Sequence, residues 1–528
     1  MRYTVLAIAV FLLVVLARHI VTKRPDGNEN KSAPEFSIGT ETIHLTGPHD
    51  ADGYIDYEAA LNEQLAKGVT PENNANVLLW RLFGPQPEGG EMPAEFFRLL
   101  GIDAPPARGD YFIDLERYLT EQVPLEPGPQ TQAVNDELDR VTQRSWKPQQ
   151  HPHLAAWLKV NERPFAIAIE AGKRPRYFNP LVSKKTENGA AGLLSALLPN
   201  VQKSRQLATA LVARAMLHTG DNRTDDAWQD LLATHRLGRA IGRGATLIEL
   251  LVAIAIEDVA MRGDIALLDS GKLTAKQLQD YPRELSALPP LSTPADKIEL
   301  GERFFFFDTA MLIRRKGFRA VEVGPGALPD RKEVRLLQRV DWGTLLCQAS
   351  QWYDRVVATL RIPDRTERQC QQARLETEVK ALKPKNDGSI TNLVPAFLQS
   401  DKAVTMRFSG VLISLLVPAL IKVQDAADRI EQGQRNLRLA FALAGYHRDH
   451  GRYPAKLEAL APKYLAAVPD DIFAGKPLIY RPNETGYLLH SVGVNGLDEG
   501  GRWYDDDPPG DDPRVRMPLP ELKRKEGP

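Results

Sequence analysis

Cysteine is nearly absent from this sequence of 528 residues. Its two cysteines, Cys347 and Cys370, are too few for a disulfide scaffold or a cysteine-rich metal site. Two unpaired core thiols are the expectation, and one bridge within a helical hairpin is the alternative. An excess of charge of one sign is also lacking, because 67 Lys and Arg residues nearly balance 68 Asp and Glu residues. This balance gives no sign of nucleic-acid binding.

The common catalytic motifs are missing as well. The sequence contains no G-x-S-x-G elbow, phosphate-binding loop, H-E-x-x-H motif or dinucleotide fingerprint. His151 and His153 flank a proline, which is a poor template for metal ligands. The aspartates around Gly53 lack the spacing of a calcium loop, so a capped turn before a helix is expected there. We therefore expect a protein without enzymatic activity.

The N-terminus carries a charge-free apolar run, at residues 4–17, with basic residues on both sides. A spanning helix needs about 20 apolar residues, and the run reaches Val21 if Arg18 snorkels. An uncleaved anchor in residues 1–24 is expected, and a cleaved signal peptide is the alternative. This predicts a single-pass protein of the cell membrane whose bulk is extracytoplasmic, in the periplasm. Residues 25–49 are polar and turn-rich and are predicted to be a linker.

The region 50–401 has a mainly helical periodicity. Apolar residues recur three and four positions apart, as at Leu207 and Leu211. Thr224 is expected to cap a following helix, which Gly242 would end. Helix and turn alternate at a pace that resembles the stacked hairpins of an α-solenoid. Proline clusters divide the region and leave room for two subdomains.

Within this region Gly244 precedes an apolar segment that has Glu249 at its fifth position, and Arg243 supplies a basic residue before it. This order resembles the cleavage signature of type IV pilins and pseudopilins. The apolar run ends after about a dozen residues, before Glu257, whereas a spanning helix needs about 20. A packed helix is therefore expected, and processing that frees Ala245 is the alternative.

The C-terminal region, residues 402–528, has the most definite order of elements. An apolar helix containing Pro418 is followed by a helix with an apolar stripe that includes Leu437 and Phe441, and Gly451 supplies a stop. A short helical segment comes next. The runs PLIYR and GYLLHSVG, separated by PNETG, then predict a hairpin with a longer loop. An acid-rich tail closes the chain.

From residue 437 to about residue 512 a helix is followed by G-x-Y-P, P-x-D-x-F-x-G, a tyrosine and S-x-G-x-N-G. The residues of this pattern and around it are Tyr446, Asp449, Gly451, Tyr453, Pro454, Leu457, Leu460, Pro469, Asp471, Gly475, Pro477, Tyr480, Tyr487, Ser491, Gly493, Asn495 and Gly496. In these residues the stretch resembles the soluble part of the major (G-type) pseudopilin of type II secretion systems. The apolar helix before it resembles a shortened pilin stem. The rest of the chain resembles large bacterial envelope proteins that carry such a tail and have no known activity.

The resemblance implies a structural calcium in the loop after the last strands. The ligands it implies are the backbone carbonyl of Leu489, the hydroxyl of Ser491 and the carboxylates of Asp511 and Asp512. Calcium takes six to eight oxygen ligands, which these groups can supply. A solvated acidic loop is the alternative. The other acids of the tail are Asp505, Asp506 and Asp507, and the departures from the family pattern are Asn495, Ile472 and Pro508-Pro509.

These features together predict a mostly α protein of solenoid-like hairpins, with an N-terminal membrane helix and a C-terminal α+β pseudopilin-like module. The expected function is that of a membrane-anchored extracytoplasmic structural or interaction protein. Its expected partners are the membrane and proteins of the cell envelope, and no nucleic acid. Two alternatives stay open: an exported enzyme with an active site in the helical region, and a pilin-pathway component processed at Gly244.

Overall fold

The computed structural model describes residues 47–86, 92–122, 129–183, 185–186, 189–190, 192–196, 198–199, 201–316, 337–382 and 400–522. Sixteen α-helices and five short strands lie in these residues, so the prediction of a mostly helical protein with strands near the C-terminus is confirmed. The predicted N-terminal membrane helix lies outside the described residues. Among the helices within them, none is both long and apolar enough to cross a membrane.

The helices are short up to residue 172 and become longer from residue 201 onward. The bounds of the helices are α1 Tyr57–Leu65, α2 Ala75–Phe83, α3 Ala94–Leu100, α4 Leu115–Gln122, α5 Pro129–Val141, α6 Pro152–Val160, α7 Glu162–Gly172, α8 Val201–Gly220, α9 Thr224–Ile241, α10 Leu247–Asp269, α11 Ala275–Ser286, α12 Pro294–Lys297, α13 Arg303–Lys316, α14 Trp342–Leu360, α15 Arg365–Leu382 and α16 Asp401–His450. The bounds of the strands are β1 Lys185–Thr186, β2 Gly189–Ala190, β3 Ile479–Pro482, β4 Tyr487–His490 and β5 Arg514–Met517.

Helices α8, α9 and α10 pack on one another and form the centre of the core. Gly242 ends α9 as predicted. The prediction that Thr224 caps this helix is wrong, because the helix begins at Thr224 itself and Arg223 precedes it without a side-chain cap. The hydroxyl of Thr224 instead accepts a hydrogen bond from the side chain of Gln277 on α11, at 2.9 Å. The Thr224 hydroxyl, which would accept a backbone N–H if it capped the helix, is thus engaged by α11.

Asp50 and Asp56, on either side of Gly53, form the capped turn that was expected. Asp50 Oδ1 accepts the backbone N–H of Tyr54 at 2.9 Å. Asp56 is the N-cap of α1, and its Oδ1 accepts the N–H of Ala59 at 2.9 Å. Asp50 and Asp52 also form ion pairs with Arg315, so these acids connect the turn to α13.

Helix α16 runs without interruption for 50 residues, whereas the sequence suggests two successive helical pieces. It begins at the N-cap Ser400 and ends at Gly451, whose φ of 69° is the left-handed conformation of a glycine stop. Pro418 lies inside it, although an interior proline costs a helix about 3 kcal/mol. Burial of Val417 and Leu420 beside this proline against the helical body compensates for that cost.

Helix α16 packs on α14 and α15, and also on α10 and α11. The Phe408 ring lies 5.9 Å from the Trp342 ring at the start of α14. Farther along, a side chain at Gly433 would collide with Met261 of α10. The helix that resembles a pilin stem therefore contacts the helical body both near its start, at Phe408, and in its second half, at Gly433.

Strands β3, β4 and β5 form an antiparallel sheet in that order, next to the end of α16. The predicted hairpin between β3 and β4 is confirmed, and Tyr480 pairs with Leu489 in it. The side chain of Asn483 accepts the backbone N–H of Gly486 in the connecting turn, at 2.7 Å. Strand β5 was not predicted. It pairs Val515 with Leu489, and both of these side chains are buried.

Neither cysteine forms a disulfide in this fold, so the prediction that they are not bridged is confirmed. Cys347 on α14 is half-buried. Cys370 on α15 is exposed, so the prediction of a core thiol is wrong at that position. The polar residues around Cys370 give α15 a wide solvent-facing side, and the thiol lies on it.

Candidate functional site: the acidic loop of the C-terminal module

The chain between β4 and β5, residues 491–513, folds back on itself around two adjacent carboxylates. Asp511 Oδ2 accepts the backbone N–H groups of Val494 and Asn495, at 3.0 and 3.2 Å. Both N–H groups belong to the turn that follows β4. This carboxylate therefore fixes the beginning of the loop to its end.

Asp512 organises the second turn of the same loop. Its Oδ2 accepts the backbone N–H groups of Glu499 and Gly501, at 3.0 and 2.8 Å. Glu499 reciprocates, because its Oε2 accepts the N–H of Asp511 at 2.7 Å. Carboxylate oxygens of these three acids lie within 4.8 Å of one another.

This group of three acids (Glu499, Asp511 and Asp512, hereafter the acidic triad) has oxygens without partners. Asp511 Oδ1 and Asp512 Oδ1 are both buried and accept no hydrogen bond. The Asp512 side chain is 0% exposed. Burial raises the pKa of Asp512, and the negative charge of Glu499 raises it further against the effect of the N–H donors. Such a cluster has unsatisfied oxygens and three neighbouring carboxylates, both of which favour binding of a hard cation.

The backbone comes close to the acidic triad at Gly493. Its φ is 65°, and a Cβ at this position would lie 2.7 Å from Asp511 Oδ1 and 2.3 Å from the Asp511 carbonyl oxygen. Only glycine avoids this collision. The loop path is thus built around the Asp511 carboxylate, which fits the oxygen cradle that the resemblance implies.

Ser491 lies beside the acidic triad and is held by a different acid. Its Oγ donates to Asp471 Oδ1 at 2.7 Å and accepts the N–H of Gly493 at 3.2 Å. Asp471 also accepts the N–H groups of Phe473 and Val492, at 2.8 and 3.1 Å. The hydroxyl of Ser491 keeps one lone pair for a further contact.

Of the four residues in the implied ligand set, the structure brings Asp511 and Asp512 together. Ser491 is adjacent and bonded to Asp471. Leu489 lies in the middle of β4, where it pairs with both neighbouring strands. Glu499 and Asp471 were not predicted as site residues, although Asp471 is part of the P-x-D-x-F-x-G segment.

The remaining acids of the tail point to other contacts. Asp505 has a side chain that is 79% exposed. Asp506 Oδ2 accepts the N–H of Trp503 at 2.8 Å and forms an ion pair with Arg514. Asp507 is exposed. These three acids shape or surround the loop without joining the acidic triad.

Two departures from the family pattern have local explanations. The side chain of Asn495 accepts the N–H of Leu497 at 2.7 Å, so it closes a turn. The N–H of Ile472 donates to Gln432 Oε1 on α16 at 2.8 Å. Proline, which the family often has at that position, could not make this bond.

The helical body contains a fully buried charged cluster around His235. Nδ1 of His235 lies 3.0 Å from Glu257 Oε2, and Nε2 lies 2.8 Å from Asp264 Oδ2. Glu257 also contacts Arg239 and, at 3.3 Å, Gln434 of α16. Burial alone would lower the pKa of His235, but the charges of Glu257 and Asp264 raise it to about 10. Closed to solvent, this cluster joins α9, α10 and α16.

The pilin-like signature at Gly244 is enclosed by neighbouring elements. The carbonyl of Gly244 accepts a hydrogen bond from Nζ of Lys297, and Ala245 is 4% exposed. A Cβ at Gly301 would lie 2.0 Å from the Ala245 carbonyl oxygen. Glu249 forms a capping box with Thr246 at the start of α10. A protease would need to open this packing to reach the peptide bond.

A cavity of about 420 Å³ lies near the end of α2. Among the described residues that line it, Asp103 is the one acid and Arg81 the one base, with Tyr111 beside them. Its remaining lining is alanine, isoleucine and proline. The cavity therefore holds fewer convergent polar groups than the acidic loop does.

Comparison of the chain with protein-family models, with curated proteins and with solved structures found no match. The strongest concentration of unsatisfied buried oxygen atoms within one loop of the described residues is the acidic triad.

Proposed function

We propose that this protein is a membrane-anchored, extracytoplasmic structural or interaction protein whose C-terminal module is pseudopilin-like and makes protein contacts. The observation that carries the proposal is the order of elements in the module. A 50-residue helix leads into a three-stranded antiparallel sheet, and an acidic loop connects the last two strands. The succession of helix, hairpin and acidic loop is the order that the resemblance implies, and it supports the proposal.

The acidic triad would hold a calcium ion in this proposal. Asp511 and Asp512 supply buried oxygens without partners, and Glu499 adds a third carboxylate. The hydroxyl of Ser491 accepts the N–H of Gly493, whose backbone comes close to Asp511. Bound calcium would supply positive charge to the loop. The acidic triad would hold the loop between β4 and β5 in one conformation. The surface that this loop presents to partners would then be fixed as well.

The covering of α16 favours a fixed interaction module over a filament subunit. Pilin-type assembly needs an apolar stem that is free to pack on other copies. Here the helix packs on α14 and α15. Among its described apolar side chains, Phe408 and Leu412 are 2% and 5% exposed, whereas Met406 is 54% exposed. The module is therefore held by its own chain and would present its loop side to partners.

The exposed side of the acidic loop carries apolar groups suited to contacts. Leu497 is 63% exposed and Tyr504 is 45% exposed. Both lie in the segment that the acidic triad fixes in place. Val160, which is 44% exposed on α6, offers a matched apolar position on the helical body.

Co-purification of the membrane-extracted protein tests the proposal. Secretion-system or other envelope proteins should come with the wild type, be lost with Leu497→Asp, and stay with Val160→Asp. If the same proteins accompany all three forms, or none accompanies the wild type, the contact role of the module is refuted. Protease added to spheroplasts should digest the bulk of the chain, and full protection would contradict an extracytoplasmic location.

A further inference from the structure

His490, at the end of β4, faces two carboxylates from the acidic loop. Its Nε2 lies 2.9 Å from Asp498 Oδ1 and 3.9 Å from Asp512 Oδ2. The side chains of His490 and Asp512 are 0% exposed, whereas that of Asp498 is 40% exposed. The imidazole is thus at the inner end of a small polar site, and Asp498 is at its rim.

The spacing of these groups matches a metal centre. One ligand atom from each of His490, Asp498 and Asp512 lies within 4.8 Å of the other two. Zinc binds imidazole nitrogen and carboxylate oxygen at about 2.0–2.2 Å, so two ligands of one ion are separated by about 3–4 Å. The 3.9 Å distance from Nε2 to Asp512 Oδ2 agrees with this range, and the 2.9 Å contact with Asp498 Oδ1 is a hydrogen bond whose proton a zinc ion would replace.

The loop also orients the two carboxylate ligands without occupying all of their oxygens. Asp512 Oδ2 is held by two backbone N–H groups, and Oδ1 of this fully buried side chain has no partner. Asp498 is oriented by the N–H of Gly500 at 2.9 Å and by Arg481 at 3.1 Å. Ligands held in this way pay little entropy when an ion enters.

We propose that His490, Asp498 and Asp512 form a second metal site, for a divalent transition ion of the zinc class. An imidazole with two carboxylates suits zinc, whereas calcium takes oxygen ligands. Three protein ligands leave a coordination position open on the Asp498 side, for water or for a group of a partner. The site does not rest on the calcium role of the acidic triad, although the two sites share Asp512.

The shared carboxylate couples the two sites. An ion bound to one face of Asp512 draws negative charge from the other face and adds positive charge close to it. Zinc and calcium should therefore weaken each other's binding, and the factor must be the same in both directions.

Calorimetric titration of the metal-stripped full chain with zinc chloride tests the site. The wild type should bind one zinc ion, and Asp498→Asn and His490→Gln should each weaken binding by more than about tenfold. Asp505→Asn, which changes a neighbouring exposed acid, should leave it unchanged. Because His490 is buried, Asp498→Asn at the rim decides the test if His490→Gln does not fold. Equal zinc affinity in the wild type and in Asp498→Asn would overturn the site.

A second variant separates this site from the calcium proposal. Glu499→Gln removes a ligand of the acidic triad alone, so it should abolish the response to calcium and leave zinc binding intact. Zinc binding that is lost in Glu499→Gln but kept in Asp498→Asn would mean that zinc occupies the acidic triad, which refutes the second site. If the wild type binds zinc through Asp498 but shows no response to calcium, the second site is supported and the calcium role is refuted.

Discussion

Asp471 accepts the hydroxyl hydrogen of Ser491 at 2.7 Å, and both side chains are closed to solvent. The bond joins the segment before β3 to the residue that follows β4. It connects Asp471, a residue of the P-x-D-x-F-x-G segment, with Ser491, which the resemblance implies as a calcium ligand. A contact between these two residues was not predicted from the sequence. The interior of the module is thus organised by this pair as well as by the acidic triad.

Replacement of Ser491 by alanine should destabilise the module. The change removes one of the hydrogen bonds to Asp471 Oδ1 and leaves that buried carboxylate with two backbone donors. We expect the free energy of unfolding to fall by about 1–2 kcal/mol. Urea denaturation of the full chain, followed by near-ultraviolet circular dichroism, measures it.

Asp470→Ala is the matched control for this pair, with Asp471→Ala as the stronger change. Asp470 is exposed, whereas Asp471 is 2% exposed and satisfies two backbone N–H groups. Loss of Asp471 should cost more than loss of Ser491, and loss of Asp470 should cost less than about 0.5 kcal/mol. Equal effects at positions 470 and 471 would contradict the assigned role.

The His235 cluster predicts a dependence of stability on pH. The folded pKa of about 10 lies above the ordinary value of 6.5. The stabilising contribution of the protonated ring is therefore complete below pH 6.5 and is lost as the pH rises through 10. The free energy of unfolding should fall across this window by up to about 1.4 kcal/mol per pH unit.

His235→Gln should remove this part of the pH dependence, and His153→Gln should keep it. His153 is exposed on α6, so it serves as a control for a titratable ring without buried partners. The measurement is the difference in unfolding free energy between each variant and the wild type from pH 6.5 to pH 10. A difference for His235→Gln that does not change with pH would contradict a protonated ring between two carboxylates.

Glu249, at the fifth position of the pilin-like signature, should matter for the stability of α10. Its Oε2 accepts the N–H of Thr246, and Thr246 Oγ1 accepts the N–H of Glu249. Glu249→Ala breaks this capping box and should lower the free energy of unfolding by about 1–2 kcal/mol. Asp258→Ala, at a partly exposed site of the same helix where it pairs with Arg262, should cost at most about 0.5 kcal/mol.

The position at which the mature chain begins is an independent test of the packing around Gly244 and Ala245. Because Ala245 is buried beneath Gly301, intact-protein mass spectrometry should find no mature chain that starts at residue 245. A chain starting there would contradict the packed helix and favour processing in the pilin pathway.

Local signals in the sequence account for the parts of the fold that were predicted. Gly451 ends α16 because a left-handed residue is needed there, and the polar turn before Gly486 separates two β-type runs. Strand β5 escaped prediction because its sequence, RVRM, alternates arginine with apolar residues over only four positions. It becomes a strand by pairing with β4, which is a tertiary contact.

The candidate sites depend even more on tertiary structure. Glu499 reaches Asp511 across 12 positions, and the bond forms only because the loop closes on itself. His235 lies 22 and 29 positions before its two acidic partners. Nothing in the local sequence around these residues distinguishes them from ordinary surface charges. The resemblance implied Asp511 and Asp512 as calcium ligands, and the position of Glu499 beside them is known from the structure alone.

The response to calcium is the most direct test of the acidic triad. Thermal unfolding and calorimetry of the metal-stripped full chain should show binding of one ion and a higher melting temperature in calcium, with a gain of about 2.7 kcal/mol at 100 times the dissociation constant. Asp511→Asn should abolish both, and Asp505→Asn should keep both. Identical melting curves of the wild type with and without millimolar calcium, together with no heat of binding, would contradict the account.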